Sequence, residues 1–155
     1  MTLWLQGELD SILGITLRTV LGRSPRLLLA EDDDELRWAL AGALSKEGFA
    51  VEQVASSNEL LDRFADVAGE QDRAPDLVIS DVRMPGYNAV NVISGLRDAG
   101  WRTPVVFISA FDDTRLERVR ELDLATFMRK PVRVTDLIEV IEMMIWTGQT
   151  HGRDA

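Results

Sequence analysis

Acids, a hydroxyl and a lysine each stand where a short apolar run stops. Glu31, Asp32 and Asp33 follow Leu27-Leu28-Leu29-Ala30, and Asp81 follows Leu77-Val78-Ile79-Ser80. Ser109 closes the run over 104–108, and Lys130-Pro131 follows Thr126-Phe127-Met128-Arg129. If the runs are buried parallel strands, these groups share the sheet edge where open α/β folds bind ligands. Glu31, Asp32 and Asp81 would then form a hard-oxygen site of the kind Mg²⁺ takes, with waters and phosphate oxygens completing an octahedron. A carboxylate beside such a cation can act as a nucleophile toward phosphorus and become an aspartyl phosphate. The cation offsets the charge of the incoming phosphoryl group. Lys130 adds a point charge that can pair with that group, and Ser109 a hydroxyl donor.

Taken one at a time, these features have ordinary explanations. The acid run over 31–35 suits a helix N-terminus favoured by the macrodipole. Asp81 can cap a turn before Met84-Pro85-Gly86, Ser109 can cap a helix, and lysines are usually solvated. Four such features at four strand ends of one pattern are hard to assign to coincidence. Trp38 and Trp101 read as packing residues, and His151 receives no role. A phosphate-cradling G-x-x-x-x-G-K-[ST] loop is absent, which argues against a nucleotide triphosphatase.

The elements that must position these groups alternate. Strands are expected at 27–30, 49–54, 77–80, 104–108 and 124–128. A helix capped by Asp33 or Asp34 runs to about Glu47, with Leu36, Leu40, Ala43 and Leu44 on one face. The next is capped by Ser56 or Ser57 and buries Leu60, Leu61, Phe64 and Val67. A polar loop over 69–75 follows. A third helix carries Val90, Val92, Ile93 and Leu96 and ends near Gly100. A fourth starts at Asp112 or Asp113 and includes Leu116 and Val119. A fifth starts at Thr135 and carries Ile138, Ile141, Met144 and Ile145. Five strands alternating with helices imply an α/β fold with a parallel sheet wound on both faces. The flavodoxin-like strand order is one of two common solutions.

Residues 1–24 stand apart as an N-terminal amphipathic extension. Leu5, Leu9, Ile12, Leu13, Thr16, Leu17, Val20 and Leu21 form one apolar stripe at helical spacing. Gly7, Gly14 and Gly22 weaken that helix, and Gly22 with Pro25 ends it. An extra helix packed on the domain is favoured over a dimer or partner helix. The main domain covers 25–147, and 148–155 is a polar tail expected to fray.

With 155 residues, one full core is the expectation. Apolar content of 46% and charged content of 28% suit a globular protein. No run reaches bilayer length, and no export signal is seen. The absence of cysteine excludes disulfides and thiolate metal sites and is compatible with a cytoplasmic location. A net charge of −9 argues against nonspecific binding of DNA.

Residues 26–146 resemble the receiver domain of bacterial two-component response regulators. The matching stretches are LLLAEDDDELRWAL, PDLVISDVRMPG, TPVVFISAF and FMRKPV, in the family's order. The resemblance implies a flavodoxin-like (βα)5 fold with a five-stranded sheet. It implies Asp81 as phosphoacceptor, and Glu31, Asp32, Asp81 and the backbone carbonyl of Arg83 as Mg²⁺ ligands. Ser109 becomes the switch hydroxyl, Phe127 the switch aromatic and Lys130 the phosphate contact. Lys130-Pro131 stands where the family usually has a cis peptide bond. Arg83 and Phe111 stand where the family tunes dephosphorylation. Four departures stand out. Glu31 replaces a commoner Asp. Asn88-Ala89 replaces Asp-Gly, so the turn loses glycine's freedom. The stretch around 68–73 is a few residues longer. Asp123-Leu124 replaces a common Gly-Ala near the usual partner-binding face.

The functional expectation is a phosphorylatable receiver in a phosphorelay. A histidine kinase or histidine phosphotransfer protein donates to Asp81, and a downstream protein partner reads the face of the fourth helix, fifth strand and fifth helix. It is a signalling switch, catalysing only its own phosphorylation and slow autodephosphorylation, with no DNA-binding output after Trp146 and a possible homodimer. The alternative is a receiver-like interaction or dimerisation domain that is not phosphorylated. A hydrolase with an aspartyl-phosphate intermediate ranks last, because no further general acid or base adjoins Asp81.

Overall fold

Each strand run keeps its expected place within a residue or so, and the helices between them fall on the two sheet faces. A computed structural model describes residues 17–110 and 116–151. Expectations for 1–16, for Phe111 and for a helix cap at Asp112 or Asp113 lie outside the described residues. The strands are β1 (Arg26–Ala30), β2 (Ala50–Val54), β3 (Leu77–Asp81), β4 (Val105–Ser109) and β5 (Ala125–Arg129). The helices are α1 (Asp34–Lys46), α2 (Ser57–Asp66), α3 (Ala89–Asp98), α4 (Leu116–Val119) and α5 (Val134–His151). A helical turn covers 17–21, and a 3₁₀ turn sits in the expected loop at Gln71–Arg73.

All pairings are parallel, in the order β2-β1-β3-β4-β5. This is the flavodoxin-like solution. Alternate residues of the central strands feed two cores. Leu27, Leu29, Ile79, Val106 and Ile108 pack with Leu40 and Leu44 of α1 and Leu137, Ile141 and Ile145 of α5. Leu28, Val78, Val105 and Phe107 pack with Leu60, Phe64, Ile93, Leu96 and Val119 of α2, α3 and α4. Central β3 and β4 are buried throughout, as continuous apolar runs covered on both faces require.

Caps set the helix starts. Asp33 accepts from Leu36 N at 3.1 Å, and Ser56 from Glu59 N at 3.2 Å. Trp101 is half-buried and meets Phe64 edge-on, with ring centroids 5.1 Å apart. Trp38 stays exposed. Lys130-Pro131 is cis.

Three expectations are adjusted. The last helix does not stop near Thr147 but runs on to His151. Gly148 permits this, since a Cβ there would lie 2.7 Å from Pro104 Cγ. The fifth strand starts at Ala125, because Leu124 sits at φ 53 and its carbonyl, with that of Asp123, accepts from the Arg97 guanidinium. Finally, Asn88-Ala89 needs no glycine. Asn88 is the N-cap of α3, accepting from Val90 N at 2.9 Å, and Ala89 is already helical. The left-handed residue of that turn is Gly86, at φ 97.

Candidate functional site

β1 and β3 are neighbours, with Ala30 beside Ser80, so Glu31 and Asp81 leave the sheet side by side. Ligand oxygens of Glu31, Asp32 and Asp81 lie within 4.8 Å of one another. Glu31 and Asp81 are buried, whereas Asp32 is exposed. The Lys130 ammonium reaches back from the end of β5, donating to Glu31 Oε1 at 2.9 Å and to Asp81 Oδ2 at 2.5 Å. Lys130 N also donates to Ser109 O at 2.8 Å, which ties the ends of β4 and β5. Arg83 stands beside Asp81, its N–H donating to Asp81 Oδ1 at 2.8 Å.

Three carboxylates against one ammonium leave two formal negative charges, the complement of a divalent cation. Without a cation, a proton is the cheaper answer. Burial pushes the Glu31 carboxyl up to about 7; the adjoining Asp81 adds to the push and Lys130 opposes it. Burial works to lower the Lys130 ammonium, yet its bonds to Asp81 and Glu31 outweigh this and hold it above its usual range. Glu31 Oε2 is buried with no hydrogen-bond partner among the described residues. An orphaned carboxylate oxygen among other hard oxygens fits Mg²⁺.

Ser109 Oγ is likewise buried without a partner among the described residues. The helix start that Ser109 is expected to cap lies outside the described residues. Phe127 does not join the cluster. It pairs with Phe107 two residues before the strand end, half-buried against the α2–α3–α4 core. Two supporting residues carried no signal in the sequence. Arg37 donates to Glu31 O at 2.7 Å and pairs with Asp34 at 2.6 Å, bracing the acidic loop. Asn58 accepts from Tyr87 N at 3.2 Å across 29 residues and packs against Gly86. A helical residue six positions past Glu31 and one just past a cap gave no periodic cue.

With this geometry in place, comparison with known proteins defines the class. The family model of the response regulator receiver domain matches residues 27–142. The chain belongs to that family. It is 34% identical over 124 residues to the transcriptional regulatory protein PdtaR of Mycobacterium tuberculosis, covering 77% of this chain and 56% of PdtaR. It is 31% identical over 131 residues to the alkaline phosphatase synthesis transcriptional regulatory protein SphR of Synechococcus elongatus, covering 81% of this chain and 51% of SphR. The chain thus spans about half the length of these curated relatives. Among solved structures, the receiver domain of the hybrid histidine kinase CckA is similar at a TM-score of 0.62 and 30% identity, covering 77% of this chain and 98% of that one. Among the described residues no helix is long and apolar enough to cross a membrane.

Proposed function

We propose that the chain is a phosphorylatable switch that takes a phosphoryl group onto Asp81 from the phosphohistidine of a kinase or phosphotransfer protein. The observation behind it is the meeting of Glu31, Asp32, Asp81 and Lys130 at the carboxyl edge of the sheet. Glu31, Asp32, Asp81 and the Arg83 carbonyl would hold Mg²⁺, which when bound would offset charge on the transferring group. Asp81 attacks phosphorus in line. The phosphorus–nitrogen bond breaks, and its electron pair stays on the imidazole, which takes up a proton. Lys130 then exchanges its bond to Asp81 for one to a phosphoryl oxygen, and the Ser109 hydroxyl, unpartnered among the described residues, donates to another. Moving Ser109 toward the phosphoryl group opens space at the end of β4, into which Phe127 turns. The face of α4, β5 and α5 thereby changes for a protein partner. Domain limits of 25–147, with extensions on either side, accompany this reading.

Incubation with acetyl phosphate and Mg²⁺ tests it by intact mass. One phosphoryl adduct is expected, absent from Asp81→Asn and absent without metal. An adduct that persists in Asp81→Asn overturns the assignment. If neither acetyl phosphate nor beryllofluoride engages the wild-type site, the non-phosphorylated interaction domain takes its place.

A further inference from the structure

Residues 31–35 are five acids in a row, and the fold gives the middle three separate tasks. Asp32 stands with Glu31 and Asp81, their ligand oxygens within 4.8 Å of one another. Asp33 caps α1, accepting from Leu36 N. Asp34 accepts from the Arg37 guanidinium at 2.6 Å. Like charges this close repel, so keeping Asp32 in the cluster needs a fixed backbone.

Sheet pairing ends at Ala30. Beyond it the Glu31 N–H donates to Val54 O at 3.1 Å, and the Glu31 carbonyl accepts from Arg37 at 2.7 Å. Both polar main-chain groups of Glu31 are therefore held, one by the neighbouring strand and one by a side chain of α1. That carbonyl belongs to the planar peptide joining Glu31 to Asp32, so holding it fixes the direction in which Asp32 leaves the chain. Side chains on a helix lean toward its N-terminus, which brings Arg37 back over the first turn of α1. Its side chain is only 11% exposed, and its two terminal nitrogens divide between the Glu31 carbonyl and the Asp34 carboxylate. Asp34 thus orients the guanidinium, whose planar fork serves both partners at once.

We propose that Arg37 is a positioning residue for the metal site: its guanidinium fixes the Glu31–Asp32 peptide so that both carboxylates stay beside Asp81. This role rests on the reading of these acids as Mg²⁺ ligands and not on phosphoryl transfer. It opposes what charge alone would do. A cationic side chain beside an acidic cluster repels Mg²⁺, so its removal would by itself strengthen metal binding. Release of the peptide weakens it, and outer-shell partners of this kind are worth about 10- to 100-fold in metal affinity.

Mg²⁺ titrations at constant pH and ionic strength, followed by NMR amide shifts, read affinity and location together. Arg37→Gln is expected to bind Mg²⁺ about tenfold more weakly than wild type. Arg37→Gln combined with Asp34→Asn restores the formal charge and should stay as weak, and Arg37→Lys, a point charge without the fork, should fall between. Arg73→Gln is the control, since it removes the same charge before the start of β3, at the opposite end of that strand from Asp81. Affinity in Arg37→Gln equal to or above that of wild type overturns the proposal, as does recovery in the charge-balanced pair or an equal loss in the control. Should Arg37→Gln not fold, wild-type affinity in Arg37→Lys overturns it instead. A wild type that binds no Mg²⁺ removes the metal reading and this role together. An affinity that depends on Arg37 while Asp81 takes no phosphoryl group sinks only the phosphoacceptor reading.

Discussion

Burial and the neighbouring Asp81 hold the Glu31 proton until about pH 7 in the metal-free chain, against 4.5 for a free glutamate. The folded state therefore binds more protons than the unfolded state between those values. The stabilisation from that proton is complete below pH 4.5 and lost as pH rises through about 7. In the presence of a chelator, the melting temperature of wild type relative to Glu31→Gln should fall across this interval. Mg²⁺ must displace the same proton, so its apparent affinity should rise from pH 6 to pH 8 with measurable proton release. A flat titration would remove Glu31 from the ligand set. Ser109 makes the opposite kind of prediction. Among the described residues its hydroxyl has no hydrogen bond to lose, so Ser109→Ala should change unfolding free energy by less than about 1 kcal/mol. The same variant should weaken beryllofluoride binding. A large loss of stability would show that the hydroxyl has a structural partner instead.

At the scale of elements, the loop from β3 to α3 is where local chemistry holds the site. Gly86 sits at φ 97, and a Cβ there would lie 2.0 Å from Asn58 Oδ1. Gly86→Ala should therefore cost at least about 1 kcal/mol in urea unfolding, as expected where alanine meets positive φ. Asn88→Ala removes the α3 cap and should cost about 1 kcal/mol. Equal stability in both variants would mean that the turn tolerates another path. Part of this region was legible beforehand. Met84-Pro85-Gly86 reads as a turn from composition, and the α3 stripe from its period. That Asn88 spares the turn a glycine was not legible, because it depends on where the helix begins. Strand ends were likewise readable from apolar runs, whereas Leu124 was not. Its left-handed backbone is accompanied by Arg97, which donates to the carbonyls of Trp101, Asp123 and Leu124. A clamp linking α3 to the start of β5 leaves no periodic trace.

For the whole molecule, the relevant quantity is the coupling of metal binding to the stability of the sheet. Glu31 and Asp81 extend neighbouring central strands, and Lys130 joins them from the edge strand. A cation held at this junction would bind the folded chain and not the unfolded one. Mg²⁺ at a hundredfold its dissociation constant should raise unfolding free energy by about 2.7 kcal/mol. The effect should shrink in Glu31→Gln and in Asp81→Asn, read by thermal melts with and without metal. A melting temperature indifferent to Mg²⁺ would sink the proposed metal site.

The sequence by itself determined the class of the protein. Apolar runs of strand length, helical periods between them and polar groups at the run ends are local properties, and their order along the chain carries the family resemblance. Only the tertiary structure decided which acid is buried and which exposed, for Glu31 and Asp32 are adjacent and chemically alike. It also decided that Lys130 bonds to residues 99 and 49 positions away, and that the Ser109 hydroxyl is buried without a partner among the described residues. Distance through space and exclusion of water set these properties, and neither exists until the five strands lie in their order.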